Sequence, residues 1–457
     1  MIAKKKIFNI FIIFLFFHLV IWTLIPTLSN ENLPLDTIEA LAWGSNLDWG
    51  FNKHPPLSAI VVEFVFLIFG SQDWAYYFLS QVFVIIAFIY VWKFSEEIFE
   101  EKIYSLISLF VLEGIYFYNF TTPEFNVNIC QLPFWALTVY YFWKSTNTNK
   151  NLDWFLFSLF SALGFLSKYL FIYLLFTIFL YFLLNLKKNK KLIFKYFFSI
   201  FISLLILTPH FVWLFKNEFI TIFYGIDRTG IADYNLINHI INPLLFVLKQ
   251  IAILLPIFIM LFVILKKIKI SINYKDKKTL FLIFINIIPF LLLFATAILT
   301  GAKIRTMWMT PYYLFVGVLL VYLFKKNILL NKIKNFFKIF VFFIILSPVL
   351  YLGISIIDKT KRTDYPGKEI SRLVLNKWED NFINEIKIVV GDEWSAGNLS
   401  YHLYSRPTWM RSLENKAYKI NEDQGVIYVG NPKVLKKLCP GVFGVINPVG
   451  YCMIGKK

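Results

Sequence analysis

Long apolar stretches separated by short polar or lysine-rich ones set the rhythm of this chain. They run over about 7–28, 74–93, 103–120, 126–143, 152–168, 170–186, 192–214, 243–265, 279–300, 307–324 and 336–357. About 20 apolar residues in a helix cross a hydrocarbon core about 30 Å thick. The pattern therefore predicts a polytopic α-helical membrane protein with about eleven transmembrane helices. The first apolar stretch is too long for a signal-peptide core, and no A-x-A-like site follows it. It reads as an uncleaved helix with Lys4, Lys5 and Lys6 in the cytoplasm.

One further run, LSAIVVEFVFLIFG at 57–70, is ambiguous. Fourteen helical residues reach only about 21 Å at 1.5 Å per residue, and Glu63 in the middle opposes insertion. The lysine-rich loops decide its placement. KKNKK (187–191), KKIKISINYKDKK (266–278) and KKNILLNKIK (325–334) belong on the cytoplasmic side. They share a side with the N-terminal lysines only if 57–70 does not cross. The run is thus expected to be a re-entrant or interfacial helix, its backbone covered by protein. Residues 29–73 then form a large first outer loop within a membrane domain spanning 1–357.

Residues 358–457 change character. Segments 386–410 and 425–430 read as short strands with a helix between, bounded by Gly, Pro and Asn, and 368–384 reads as a helix. A small α/β domain on the outer, periplasmic face is expected there. Cys439 and Cys452 lie within it, where an oxidising compartment permits a structural disulfide. Cys130 falls in a span, as a small buried hydrophobe. No metal-ligand spacing occurs.

Composition narrows the class. The chain is 58% hydrophobic and only 16% charged, where soluble domains carry about a quarter charged residues. A formal charge of +18 suggests nucleic acid in a soluble chain. Here the lysines cluster between apolar runs and set orientation, so no nucleic-acid partner is expected.

The topology gathers the polar residues at one face. Asp36 and Glu39, three apart, share a helix face, although the same spacing fits a helix-capping pair. Glu124 sits in the short outer loop TTPEFNVN. Pro123 and Glu124 also suit the first turn of the next helix. Lys53, Lys168, Arg228, Lys303 and Arg305 form a group of outer-face cations. They either neutralise lipid headgroups or clamp a phosphate. His54 precedes Pro55 and Pro56, which make a rigid bend; a structural role for this histidine stands beside a substrate-binding one.

The stretch DTIEALAWG…WGFNKHPPLSAI resembles the first outer loop of bacterial family 39 glycosyltransferases, the group related to protein O-mannosyltransferases and the lipid A aminoarabinose transferase. SALGFLSKYLFIYLL (161–175), LTPHFVWLFKNEFITIFY (207–224), KIRTMWMTPYYL (303–314) and IVVGDEWSAGNLSYHLYSRPTWM (388–410) are similar to later family segments in the same order. The resemblance implies the C-type glycosyltransferase fold and transfer of a sugar from a polyprenyl-phosphate donor at the periplasmic face of the bacterial inner membrane. It implies no cofactor or metal. Asp36 matches the family's first-loop acid and is the expected base; Glu124 stands where the family commonly has Asp. Glu39, Lys53, His54, Lys168, Arg228, Lys303 and Arg305 are the expected substrate-binding residues. Lys53 stands where many members carry an acid, so acceptor details do not transfer. The acceptors implied are lipid A or lipopolysaccharide, another envelope glycan, or a protein. A lipid-linked-sugar transporter or flippase is the competing reading, but it calls for charges along the spans and paired helix breaks. A structural anchor for the outer domain leaves the first loop unexplained.

Overall fold

The computed structural model describes residues 4–185, 190–230, 235–270, 272–411, 422–447 and 449–457. Residues 186–189, which hold most of the KKNKK loop and the end of the 170–186 run, lie outside the described residues, as does 271. Along the chain, α1 (Lys4–Ser29) leads to a short α2 (Leu35–Gly44) and α3 (Leu57–Phe69). Then come α4 (Asp73–Ile98), α5 (Lys102–Phe110), α6 (Val127–Thr148), α7 (Asn151–Ser167) and α8 (Ile172–Asn185). The bundle continues with α9 (Lys190–Lys216), α10 (Ile220–Thr229), α11 (Asn238–Phe262), α12 (Lys277–Thr300), α13 (Val316–Phe324) and α14 (Ile333–Ile357).

Among the described residues, six helices are long and apolar enough to cross a membrane: α1, α4, α9, α11, α12 and α14. A seventh span results if the 3-10 segment Thr306–Tyr313 and the helix after it, bent by 54°, are taken together. Length and composition therefore establish fewer spans than the eleven expected. The difference lies in shorter helices such as α7, and in 103–120. That run is helical only to Phe110 and continues as 3-10 turns through Tyr118. Polar side chains replace its helix bonds: Asn119 Nδ2 donates to the Glu113 carbonyl at 2.8 Å, and Glu113 Oε1 lies 3.1 Å from His18 Nδ1 of α1. Aromatic stacking fills the space between helices. Phe11 lies on Trp92 (ring centroids 4.4 Å apart) and Phe110 on Phe340 (4.0 Å), joining α1 to α4 and α5 to α14.

The C-terminal part contains α15 (Gly367–Glu379), α16 (Ser395–His402) and α17 (Pro432–Leu438). Its strands are β1 (Ile388–Val390), β2 (Thr408–Met410), β3 (Val426–Gly430), β4 (Val442–Ile446) and β5 (Val449–Ile454). They form one sheet in the order β2-β1-β3-β5-β4, with β1 parallel to both neighbours and β5 antiparallel to both of its own. Two strands and the expected helices were legible; the β4–β5 hairpin and α17 were not. Cys439 and Cys452 are disulfide-bonded across the start of that hairpin.

This sheet does not close its core alone. Trp43 of α2, Phe51 and Ala59 of α3 pack into the same buried cluster as Trp378, Val389, Leu399, Ile427 and Tyr451. Gly397 of α16 meets α2 so closely that a Cβ there would stand 3.1 Å from Ala42 Cβ. Arg406 reaches down to α3, where its Nη2 donates to Glu63 Oε2 at 2.5 Å and to the Leu41 carbonyl at 2.7 Å. Glu63, the residue that argued against a spanning helix, thus has its partner in the C-terminal part. Phe64, Leu67 and Ile68 of α3 face outward and exposed, as suits a helix lying along the membrane boundary.

Candidate active site

The first outer loop is pinned before it reaches the site. His210 Nδ1 of α9 donates to the Trp49 carbonyl at 2.6 Å, while Tyr169 hydroxyl and His210 Nε2 are 2.8 Å apart. Thr221 Oγ1 of α10 donates to the Phe51 carbonyl at 2.6 Å. Gly50 lies beneath the Trp213 indole, where a Cβ would come within 2.4 Å of the ring. The Phe51 N–H bonds back to the His54 carbonyl at 3.0 Å, closing a tight bend before Pro55 and Pro56. These bonds fix the directions of Lys53 and His54.

α2 starts at Leu35 after Pro34, and no side chain of its own caps it. The capping signature expected for Asp36 and Glu39 is not what the structure uses. Instead Glu124 caps α2 from another part of the chain: its Oε1 accepts the Asp36 N–H at 3.1 Å. Nor does Glu124 begin the next helix. α6 starts at Val127 and is capped by Asn126, whose side chain accepts the N–H groups of Asn128 and Ile129. An unmet donor at the start of α2 thus draws the second acid against the first.

Two half-buried carboxyls so placed repel each other's charge. Burial, then Asp36, pushes Glu124 up to about 8. Burial also raises Asp36, while Lys168, Lys53, Arg228 and Arg362 pull it back toward ionisation. Both acids are thus held toward their protonated forms, and the charge of each opposes ionisation of the other. Glu39, on the same face of α2, is pushed up to about 7 by burial, opposed by its bond to Lys53.

The cations differ in how they are held. Lys53 bridges Glu39 of α2 and Glu393, whose Oε1 is 3.4 Å away and which also accepts from Asn52. The charge of Lys53 is thus engaged by two acids. Lys168 is buried at the end of α7, donates to Asn128 Oδ1 at 2.5 Å, and lies 5.1 Å from the centre of the Trp308 ring. Arg228, exposed in the last turn of α10, acts on Asp36 through its charge. Arg305 is half-buried and near enough to Lys168 to repel it. Lys303 is exposed, and its N–H joins the Thr229 carbonyl at the end of α10 at 2.9 Å; among the described residues no salt bridge ties its ammonium to Asp36, Glu39 or Glu124. Burial, then Lys168, Lys53 and Arg228, holds His54 down to about 3. It is a neutral imidazole at working pH.

Two participants escaped the sequence reading, Glu393 and Arg362. Glu393 lay inside a segment valued only for its strand and helix. Arg362, in the polar stretch after α14, carried the same outer-face signal as Arg228. Among the described residues no group of three or more His, Cys, Asp or Glu is arranged to hold a metal ion.

A bundle of spanning helices, a short helix lying at one end and paired acids beneath an α/β cap make up the C-type glycosyltransferase membrane fold. The whole chain superimposes on it: the crystal structure of ArnT from Cupriavidus metallidurans in the apo state matches with TM-score 0.63 over 97% of this chain and 98% of that one, at 11% identity. A family model described as dolichyl-phosphate-mannose-protein mannosyltransferase matches residues 53–213, from Lys53 to Trp213. No curated protein sequence matches the chain. The family model bears out the resemblance drawn from the loop motifs over residues 53–213, the structural match bears out the fold, and the chain is a multi-pass membrane protein of that fold.

Proposed function

We propose that this protein is an integral-membrane glycosyltransferase that moves a sugar from a polyprenyl-phosphate donor to a cell-envelope acceptor. The acceptor is a lipid A-type lipopolysaccharide, another glycan or a protein, and transfer occurs at the periplasmic face of the bacterial inner membrane. The observation that carries this reading is the Asp36–Glu124 pair, joined at 3.1 Å through the α2 backbone and surrounded by Lys168, Lys53, Arg228 and Arg362. The family match and the shared fold support the reaction class.

The chemistry follows from that arrangement. The acceptor oxygen attacks the anomeric carbon as the bond to phosphate oxygen breaks, with inversion. Asp36 takes the acceptor's proton, a role worth about 10²–10⁴-fold in rate. The departing lipid phosphate keeps the bonding electron pair, and its charge falls to Lys168, Arg228 and Arg305. Lys53 joins them when the phosphate displaces one of its two acids. His54, neutral, serves as a hydrogen-bonding wall.

Mass spectrometry of envelope glycans with and without the protein tests the reading. A missing sugar mass, restored by the wild type but not by Asp36→Asn, supports it; an unchanged glycan profile counts against it. The flippase reading retains one observation, the buried His18–Glu113 pair within the spans. Movement of a labelled lipid-linked sugar across vesicles by the Asp36→Asn variant would favour it.

A further inference from the structure

A second cationic position lies at a cavity that Glu124 itself lines. Beside Glu124 opens a cavity of about 320 Å³ whose wall includes Leu35, Phe120, Tyr351 and Ile354, with Lys361 and Arg362 at its rim. Its two ends differ in chemistry: hydrocarbon and one phenol along the last turns of α14, cations and Glu124 above.

The rim is built in place. The Thr363 carbonyl accepts the N–H groups of Glu31 and Asn32 at 2.9 and 3.0 Å, fastening 361–364 over the end of α1. Lys361 is spent on structure. Its Nζ donates to the Ser355 carbonyl at 3.0 Å and to the Asp358 carbonyl, and it pairs with Asp364 at 3.2 Å. It thereby satisfies carbonyls at the C-terminus of α14. Arg362 remains. It makes no salt bridge among the described residues; its guanidinium lies 5.6 Å from the centre of the Trp394 ring, a contact that orients it without neutralising it. Its charge acts on both Asp36 and Glu124.

Resting on the reaction proposed above, we infer that this cavity is the acceptor subsite and that it takes an amphiphile with an anionic group. Arg362 holds the anion, the hydrocarbon lies along Phe120, Tyr351 and Ile354, and the acceptor oxygen is presented to the two acids from the Glu124 side. The donor phosphate then belongs to Lys168, Arg228 and Arg305. Each anion then has cations of its own, Arg362 at the cavity and Lys168, Arg228 and Arg305 outside its lining, so neither must be stripped of charge for the other to enter. A soluble peptide acceptor has no use for the apolar wall set at the height of the last turns of α14.

The test uses the full-length protein in phosphatidylcholine nanodiscs. The probes are two alkyl diazirines of equal chain length, one ending in phosphate and one in phosphocholine. After illumination, peptide mapping locates the label. The phosphate probe is expected to label the 120 and 351–354 segments at least tenfold more than the phosphocholine probe, with inorganic phosphate in hundredfold excess competing weakly. Arg362→Ala is expected to remove that preference, and Arg362→Lys to restore much of it. Equal labelling by both wild-type probes overturns the inference without recourse to a variant, as does full displacement by inorganic phosphate, which would mark a plain anion site. Displacement by a Ser/Thr-rich peptide would also overturn it, in favour of a protein acceptor. The two readings fail separately. A glycan mass that depends on this protein but is made fully by Arg362→Ala defeats the subsite alone, and a glycan profile indifferent to the protein defeats the reaction.

Discussion

The backbone N–H of Asp36 is bonded to the carboxylate of Glu124, 88 residues further along the chain, at 3.1 Å. One acid thereby fixes the helix that carries the other. Asp36→Asn is expected to lower transfer by about 10²–10⁴-fold with membrane insertion intact. Glu124→Gln keeps an oxygen for the N–H and should leave the fold unchanged, whereas Glu124→Ala should loosen the start of α2 by about 1 kcal/mol. Initial rates and thermal melts of the three variants separate base from cap.

The raised acids make this end of the molecule pH-sensitive in a defined sense. Folding holds Glu39 up to about 7 and Glu124 up to about 8, both above the ordinary 4.5, so folding favours their protonated forms. That contribution is full below the ordinary value and fades as pH rises through the two folded values. Melting temperature should therefore fall between about pH 5 and 8.5, and Glu124→Gln should flatten the slope. Carbodiimide, which attacks protonated carboxyls, should label Glu124 up to about pH 8. Labelling that ends near pH 5 would refute the shift.

Gly50→Ala places a methyl group against the Trp213 ring, where the space allows 2.4 Å. The loop must move, carrying Lys53 and His54 with it. Since a displacement of about 1 Å costs about 10²-fold in well-aligned catalysis, activity should fall at least tenfold while α9 stays folded. Wild-type turnover by Gly50→Ala would show that the loop's position is unimportant.

Arg406→Ala leaves Glu63 without its partner and the Leu41 carbonyl without its donor. Breaking a mostly buried ion pair costs about 3–5 kcal/mol. Protease should then cut between α14 and α15 faster than in the wild type, and Glu63→Gln in the same chain should recover part of the resistance. Unchanged cleavage would mean that the sheet is held without this pair.

What could be read from the sequence follows the reach of each interaction. Hydropathy sees runs, so it found the bundle, and a short run with an acid in it exposed α3 as different. Loop position placed Asp36, Glu124 and Lys168 together, and the structure does bring their charges within reach of one another. Loop position could not find Glu393 on Lys53: the two are 340 positions apart, and no local pattern announces the pairing. Nor could it see the helix end at Phe110, where Glu113 of the following turn meets a histidine 95 positions away. The expected cap at Asp36 failed for a similar reason. Spacing identifies a residue able to cap, but not the distant side chain that does so instead.

The core shared by Trp43, Phe51 and the C-terminal sheet sets a timetable for synthesis. The loop that bears Asp36 leaves the ribosome early, yet the residues that pack against it, from Ile370 to Met453, follow only after the whole membrane bundle has been made. Until those are folded, the core beneath the loop lacks its other half, and Lys53 lacks Glu393. A chain stalled before these residues is thus left with α2 unsupported on one side, and assembly of the candidate site waits on the sheet.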